Sequence, residues 1–182
     1  MLFKFDIKIN DHDYLEYNNF VILKSNYGKK QLTSFRIIMA ALLAVWILFL
    51  LYNGGFSKDA FINIIPQVVL LVLFQVVLTP FFKFVMKGTV KRLIKNGKKA
   101  YSPNSVMEFY DNDFKEITDD NETKQKYTAI DRVSIIEGKN IYIHINSLMA
   151  YILPFACFES DEQRQAFIEF LKTKCNNVDV MQ

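Results

Sequence analysis

Histidine and cysteine are scarce in this chain: its 182 residues hold two of each, His12, His144, Cys157 and Cys175. They do not stand at zinc-ligand spacing, so neither a metal centre nor a cofactor is expected. Glycine is equally thin, six in all, and no GxGxxG, P-loop, HExxH or GxSxG motif occurs. Phosphate-cradling loops and the common hydrolytic motifs are therefore absent, which argues against an enzyme. An excess of one charge is missing too. The 22 Lys and Arg against 19 Asp and Glu leave a net charge of +3, too little to point to nucleic acid.

What the sequence does have is two long apolar runs. RIIMAALLAVWILFLLYNGGFSK carries no charge across the 21 residues between Arg36 and Lys58. AFINIIPQVVLLVLFQVVLTPFF carries none across the 23 residues between Asp59 and Lys83. At about 1.5 Å per residue each spans roughly 30 Å, the thickness of a hydrocarbon core. Two such segments in so short a chain leave too little protein to bury them, so the expectation is a two-span membrane hairpin. Asp6, Asp11, Asp13 and Glu16 precede a run that begins only at Ile37, unlike the layout of a cleaved signal, so the hairpin is expected to be mature structure.

Flanking basic residues set the expected orientation. Lys24, Lys29, Lys30 and Arg36 precede the first span, and Lys83, Lys87, Lys91, Arg92, Lys95, Lys98 and Lys99 follow the second. The connecting loop holds only Lys58, so both termini are expected on the cytoplasmic side of a cell membrane, with Asn53, Gly54 and Gly55 in a tight turn opposite. Cytoplasmic thiols stay reduced, so no disulfide is expected. Cys157 reads as a core residue and Cys175 as an ordinary surface thiol.

The chain divides into four parts. Residues 1–35 form an N-terminal cytoplasmic segment in which FKFDIKI alternates as a half-buried strand, followed by a short helix over 12–22 and an extended NFVILKS. Its strand needs a partner, expected in the C-terminal domain. Residues 36–83 are the hairpin. Residues 84–100 form a basic amphipathic stem with Phe84, Val85, Val90, Leu93 and Ile94 on one face. Lys87, Lys91, Arg92, Lys95, Lys98 and Lys99 are its expected membrane-surface contacts, drawn to anionic lipid headgroups by about 1 kcal/mol per basic residue.

Residues 101–182 alternate in short segments. SVMEFYD and FKEITD read as strands, DDNETK as a turn, YTAIDRVSIIE and IYIHINSLM as a hairpin, and AYILPFACF as a strand that Pro154 marks for an edge. Ile141, Ile143 and Ile145 share one face, Tyr142 and His144 the other, so His144 is expected at solvent or a sheet edge. Ser160 followed by Gln163 starts a helix whose Phe167, Phe170 and Leu171 dock on the sheet. The expected fold is thus an α-helical membrane hairpin plus an α+β unit, a small antiparallel sheet or pleckstrin-homology (PH)-like barrel closed by one C-terminal helix. The acids Glu108, Asp111, Asp113, Glu116, Asp119, Asp120 and Glu122 lack the glycine of a calcium loop and read as solvated turns.

Within the spans, Asn63, Gln67, Gln75 and Thr79 recur at multiples of four, and Ala40 and Ala44 make a small-xxx-small face. Ala40, Ala44, Asn63, Gln67 and Gln75 are the expected interhelical packing residues.

The FKFDIKINDHDYLEYN start, the hairpin, and an ending of the form IYIHINSLMAYILPFACFESDEQRQAFIEFL resemble the YcxB-like family of small bacterial membrane proteins. The resemblance rests on Asp11 and Tyr14, the Tyr127 to Val133 segment, and Leu153, Pro154 and Phe158. It implies a PH-like C-terminal domain after the hairpin. Many members place a basic residue after the proline, where this chain has Phe155. Two functional readings follow. One is a membrane-anchored, non-enzymatic binding or regulatory module whose partners are the lipid bilayer and its anionic headgroups, a protein, or further copies of itself. The other is a subunit of an oligomeric transporter or channel whose cytoplasmic domain caps or gates the hairpin bundle.

Overall fold

The computed structural model describes residues 1–54, 58–96, 101–147 and 149–181. They form two compact units, one of Met1–Tyr17 with Leu93–Gln182 and one of Asn18–Arg92.

The first unit opens with β1, Phe3–Lys8, whose Phe5 and Ile7 point inward while Lys4, Asp6 and Lys8 face solvent. Its partner is β2, Asn104–Phe109, antiparallel, with Phe5 opposite Met107 and Ile7 opposite Ser105. The strand expected to find its partner in the C-terminal domain does so, and the unit is built from both sides of the long helices. β3, Asp113–Ile117, and β4, Glu122–Lys126, complete a four-stranded sheet in the order β1-β2-β3-β4. The expectation of a turn over DDNETK is corrected: Thr118 and Asn121 close the turn, and ETK already belongs to β4. That strand lies at a sheet edge, where charged side chains discourage further pairing and the apolar alternation of a half-buried strand is lost.

The second sheet runs β7-β6-β5-β8. β5, Arg132–Ile136, and β6, Asn140–His144, form an antiparallel hairpin around Gly138, whose φ of 71° suits glycine. The strand expected to start at Tyr127 begins only at Arg132, because Tyr127–Ala129 is a 3-10 turn whose Tyr127 hydroxyl donates to the Tyr110 carbonyl at 2.7 Å. β7, Ala150–Pro154, lies at the edge, the position Pro154 requires. A second 3-10 turn, Phe155–Cys157, follows where strand was expected to continue.

Helix α4, Asp161–Lys174, carries the expected cap. Ser160 Oγ accepts from the Gln163 N–H at 3.2 Å, and the Gln163 side chain accepts from the Glu159 N–H at 2.8 Å. The helix does not end the fold. β8, Val178–Met181, follows it and pairs parallel to β5, so the second sheet is mixed where an antiparallel one was expected. β8 is four residues long with one acid inside, too short for a period to register.

The core joins Phe5, Ile7, Met107, Phe109, Phe114, Val133, Ile135, Ile141, Ile143, Leu153, Phe167 and Leu171. The Phe167 ring meets Phe5 at 4.8 Å and Phe109 at 4.7 Å, both edge-on, the arrangement aromatic quadrupoles favour. Each such ring contributes roughly 1.5–3 kcal/mol by leaving water.

Helix α1, Asp11–Leu23, is capped by Asn10, whose side chain accepts from the His12 and Asp13 N–H groups while Asp13 accepts from the Asn10 N–H. It absorbs most of NFVILKS, which was expected to be extended; once capped, an existing helix propagates at lower cost than a new element begins. Lys24 and Ser25 then turn the chain into α2, Asn26–Gly54. A Cβ on Gly28 would lie 2.2 Å from the Val21 and Ile22 carbonyl oxygens, so this close helix-to-helix turn requires glycine.

The second long helix, α3, runs Lys58–Lys95 through Pro66 and Pro80. Both α2 and α3 are long and apolar enough to cross a membrane, and their apolar windows are almost entirely unburied. Asn53 and Gly54 belong to α2 rather than to a turn, and Gly55 lies outside the described residues.

Candidate functional site

Three places in the molecule hold chemistry. The first is the end of α3. Lys83, Lys87, Lys91 and Lys95 recur every fourth residue and are exposed, as is Arg92. Such spacing lines like charges along one stripe, which destabilises an isolated helix unless an anion shares the surface. Among the described residues none of the five is in an ion pair. Lys98 and Lys99 lie outside the described residues. The expected apolar face is corrected in detail: Val90 is buried, but Phe84 and Val85 are exposed beside the lysines.

The second is the α2–α3 contact. Arg36 Nη2 donates to Thr79 Oγ1 at 3.0 Å, and the Phe35 ring meets Phe74 at 6.2 Å and Phe82 at 5.9 Å. The face of α2 that is half-buried runs through Arg36, Ala40, Leu43 and Ile47. A 3.6-residue period carries Ala44 off that line, and Ala44 is exposed in the single chain. Gln67 and Gln75 are half-buried, whereas Asn63 is exposed. The charge partner of the polar stripe, Arg36, had been read only as a flanking residue. Arginine's reach of several carbons lets its head return along the helix, and spacing within one helix carries no sign of that.

The third site was missed. His144 is completely buried, not at solvent or an edge. It stands opposite Arg132 across the β5–β6 ladder, and Ser134 opposite Tyr142, so these four share the face turned away from the main core. The start of α1 covers that face. Tyr17 lies 5.2 Å from the Tyr142 ring and 6.2 Å from His144, and Glu16 bonds Lys139 at 2.7 Å. Asp11 accepts from the Tyr101 hydroxyl, and the Tyr14 ring rests on Tyr101 at 4.8 Å. Asp11 and Tyr14, which carry part of the family resemblance, are thus anchors of this cover.

Burial shapes the electrostatics here. Desolvation, with Arg132 adding repulsion, pulls His144 down to about 4. Desolvation pushes Tyr142 up to about 12, against the hydrogen bond from Asn140, and raises Tyr17 as well. Arg132 Nη2 and Ser134 Oγ are buried without a hydrogen-bond partner among the described residues.

Both thiols are free and desolvated, Cys157 pushed up to about 12 and Cys175 to about 11. Cys157 packs against the core as expected. Cys175 is buried in it, not a surface thiol, because its backbone N–H caps α4 by bonding Leu171 and so turns the side chain inward. Of the acids, Asp113 and Glu122 pair with Lys124 and Lys115, and half-buried Glu116 is raised by desolvation. Among the described residues no group of three or more His, Cys, Asp or Glu is placed to hold a metal.

Two long apolar helices together with an α+β unit of sheets and a C-terminal helix define the class of this chain. Residues 109–171 match the family model described as YcxB-like protein, the family the sequence layout resembles. The match runs from the last residue of β2 to Leu171 in α4 and takes in the buried Phe114, Ile141, Leu153 and Phe167. No curated protein and no solved structure matches the chain.

Proposed function

We propose that this chain is a membrane-anchored, non-enzymatic binding or regulatory module. In this reading α2 and α3 cross the bilayer as a hairpin, both termini face the cytoplasm, and a PH-like unit works near the membrane surface. The observation that carries it is α3 itself, one helix that passes from an exposed apolar surface, with Leu70 and Val76 at 64% and 70% exposure, into the exposed lysine stripe at 83, 87, 91 and 95. An apolar surface of this kind calls for lipid, and lysines at its end call for anionic headgroups. The two four-stranded sheets with α4 support the PH-like layout. Non-enzymatic action is supported by the enclosure of His144 and by thiols held protonated at neutral pH.

Cysteines placed singly at Asn53 and Lys95, in a chain whose own cysteines are replaced by alanine, test the topology with an impermeant maleimide. Position 53 should label in intact cells and position 95 only after permeabilisation; the reverse pattern rejects the orientation. For the headgroup partner, the full chain in mixed-lipid nanodiscs should enrich anionic lipid around it. Lys83, Lys87, Lys91 and Lys95 changed together to glutamine should abolish that enrichment.

A second reading, a subunit of an oligomeric transporter or channel, draws on Asn63 and Ala44. An exposed amide and a small residue on apolar helices suit contact with another copy. A monomer in nanodiscs would exclude it.

A further inference from the structure

The cover over His144 is a buried titratable site whose chemistry the membrane reading leaves open. His144 sits at the end of β6 with no exposed surface, beneath the first half of α1. The groups facing it are Arg132 from β5, Tyr142 on its own strand, and Tyr17 from α1, with Asp13 and Glu16 of α1 acting on Tyr142. Arg132 Nη1 lies 3.5 Å from Asp131, while its buried Nη2 has no hydrogen-bond partner among the described residues. A proton on the imidazole would place two cations side by side under a roof of tyrosine rings, the costliest arrangement burial offers.

We propose that α1 is an acid-sensitive latch: protonation of His144 against Arg132 frees residues 11–17 from the face of the β5–β6 hairpin. The contacts that hold α1 there are local. They include the Tyr17 ring on Tyr142 and His144, the Glu16–Lys139 pair, and the Asp11 and Tyr14 contacts with Tyr101. Two of these, the ion pair and the Tyr101 hydrogen bond, are exposed and therefore weak. The main core lies on the opposite face of the same strands, so opening of residues 11–17 leaves its contacts in place.

The linkage has a definite sign. Closed, His144 resists protonation down to about 4; opened, it takes its ordinary value near 6.5. The open form therefore binds the proton more tightly, and opening is favoured as pH falls through this window. Between pH 7 and pH 5 the open population should rise about 20-fold.

Hydrogen–deuterium exchange of the full chain in nanodiscs, corrected for the intrinsic pH dependence, tests this. Amides of residues 11–17 should lose protection about 20-fold between pH 7 and pH 5, and at both pH values should be less protected than those of β2 and β3, which open only with the whole unit. His144→Gln should flatten the response. Should that variant fail to fold, Tyr17→Ala gives the same test from the other side, because uncovering the imidazole should leave α1 open at pH 7 and without further response. Constant protection in the parent chain overturns the proposal. So do an unchanged response in either variant and protection over residues 11–17 equal to that of β2 and β3, which would mean that they open only by global unfolding. The readout does not involve membrane contact, so the latch and the membrane reading stand or fall separately.

Discussion

The two units put the same kind of side chain to opposite use. In the folded unit Phe109, Phe114 and Phe167 have no exposed surface, and each contacts several other rings. In the helical unit large aliphatic residues along α2 and α3 lie open, and the buried exceptions on α3, Leu78 and Val90, are few. Water drives the first arrangement; the second is stable only where water is absent. A hydrophobic residue's contribution therefore depends on which unit it serves, and the comparison can be broken experimentally.

The largest contrast is between Phe167→Ala and Leu70→Ala. The first leaves a cavity where Phe5, Phe109 and Phe158 converge and should cost about 3–5 kcal/mol. The second removes a side chain that packs against little protein and should cost under about 0.5 kcal/mol. Denaturation in detergent, followed by near-ultraviolet circular dichroism, measures both, and equal losses would erase the distinction.

Acid should discriminate next. His144 is depressed in the folded state, so unfolding takes up a proton as pH falls below about 6.5. The folded unit's stability is then complete above that value and declines toward pH 4, by up to about 3 kcal/mol. A denaturation midpoint that stays constant over this range would contradict the burial of His144.

Smaller effects sharpen the picture at single bonds. Ser160→Ala removes the cap of α4 and should lower stability by about 1 kcal/mol, read as a thermal midpoint shift. Thr79→Val removes the acceptor for Arg36 while keeping shape, and should weaken the α2–α3 contact by about 0.6 kcal/mol, measured by steric trapping in bilayers. A larger loss would identify Arg36 as the main link between the helices.

Local pattern was enough for β1, β2, β3, the β5–β6 hairpin and the Ser160 cap, because each repeats a short-range rule of alternation, turn chemistry or capping. β4 and β8 escaped because edge strands carry polar residues for reasons set by their neighbours.

The sequence by itself determined the two apolar helices, the basic stretch after them and which side chains share a strand face, since length, charge and period are properties of a segment alone. Only the tertiary structure decided what covers each face. β6 alternates Ile141 and Ile143 with Tyr142 and His144, and in a one-sided sheet the second pair would meet water. Here α1, more than a hundred residues earlier in the chain, lies over it and buries both faces. Periodicity records that two faces differ; it holds no information about a distant helix, and that helix is what turns His144 from a surface imidazole into a buried, acid-sensitive one.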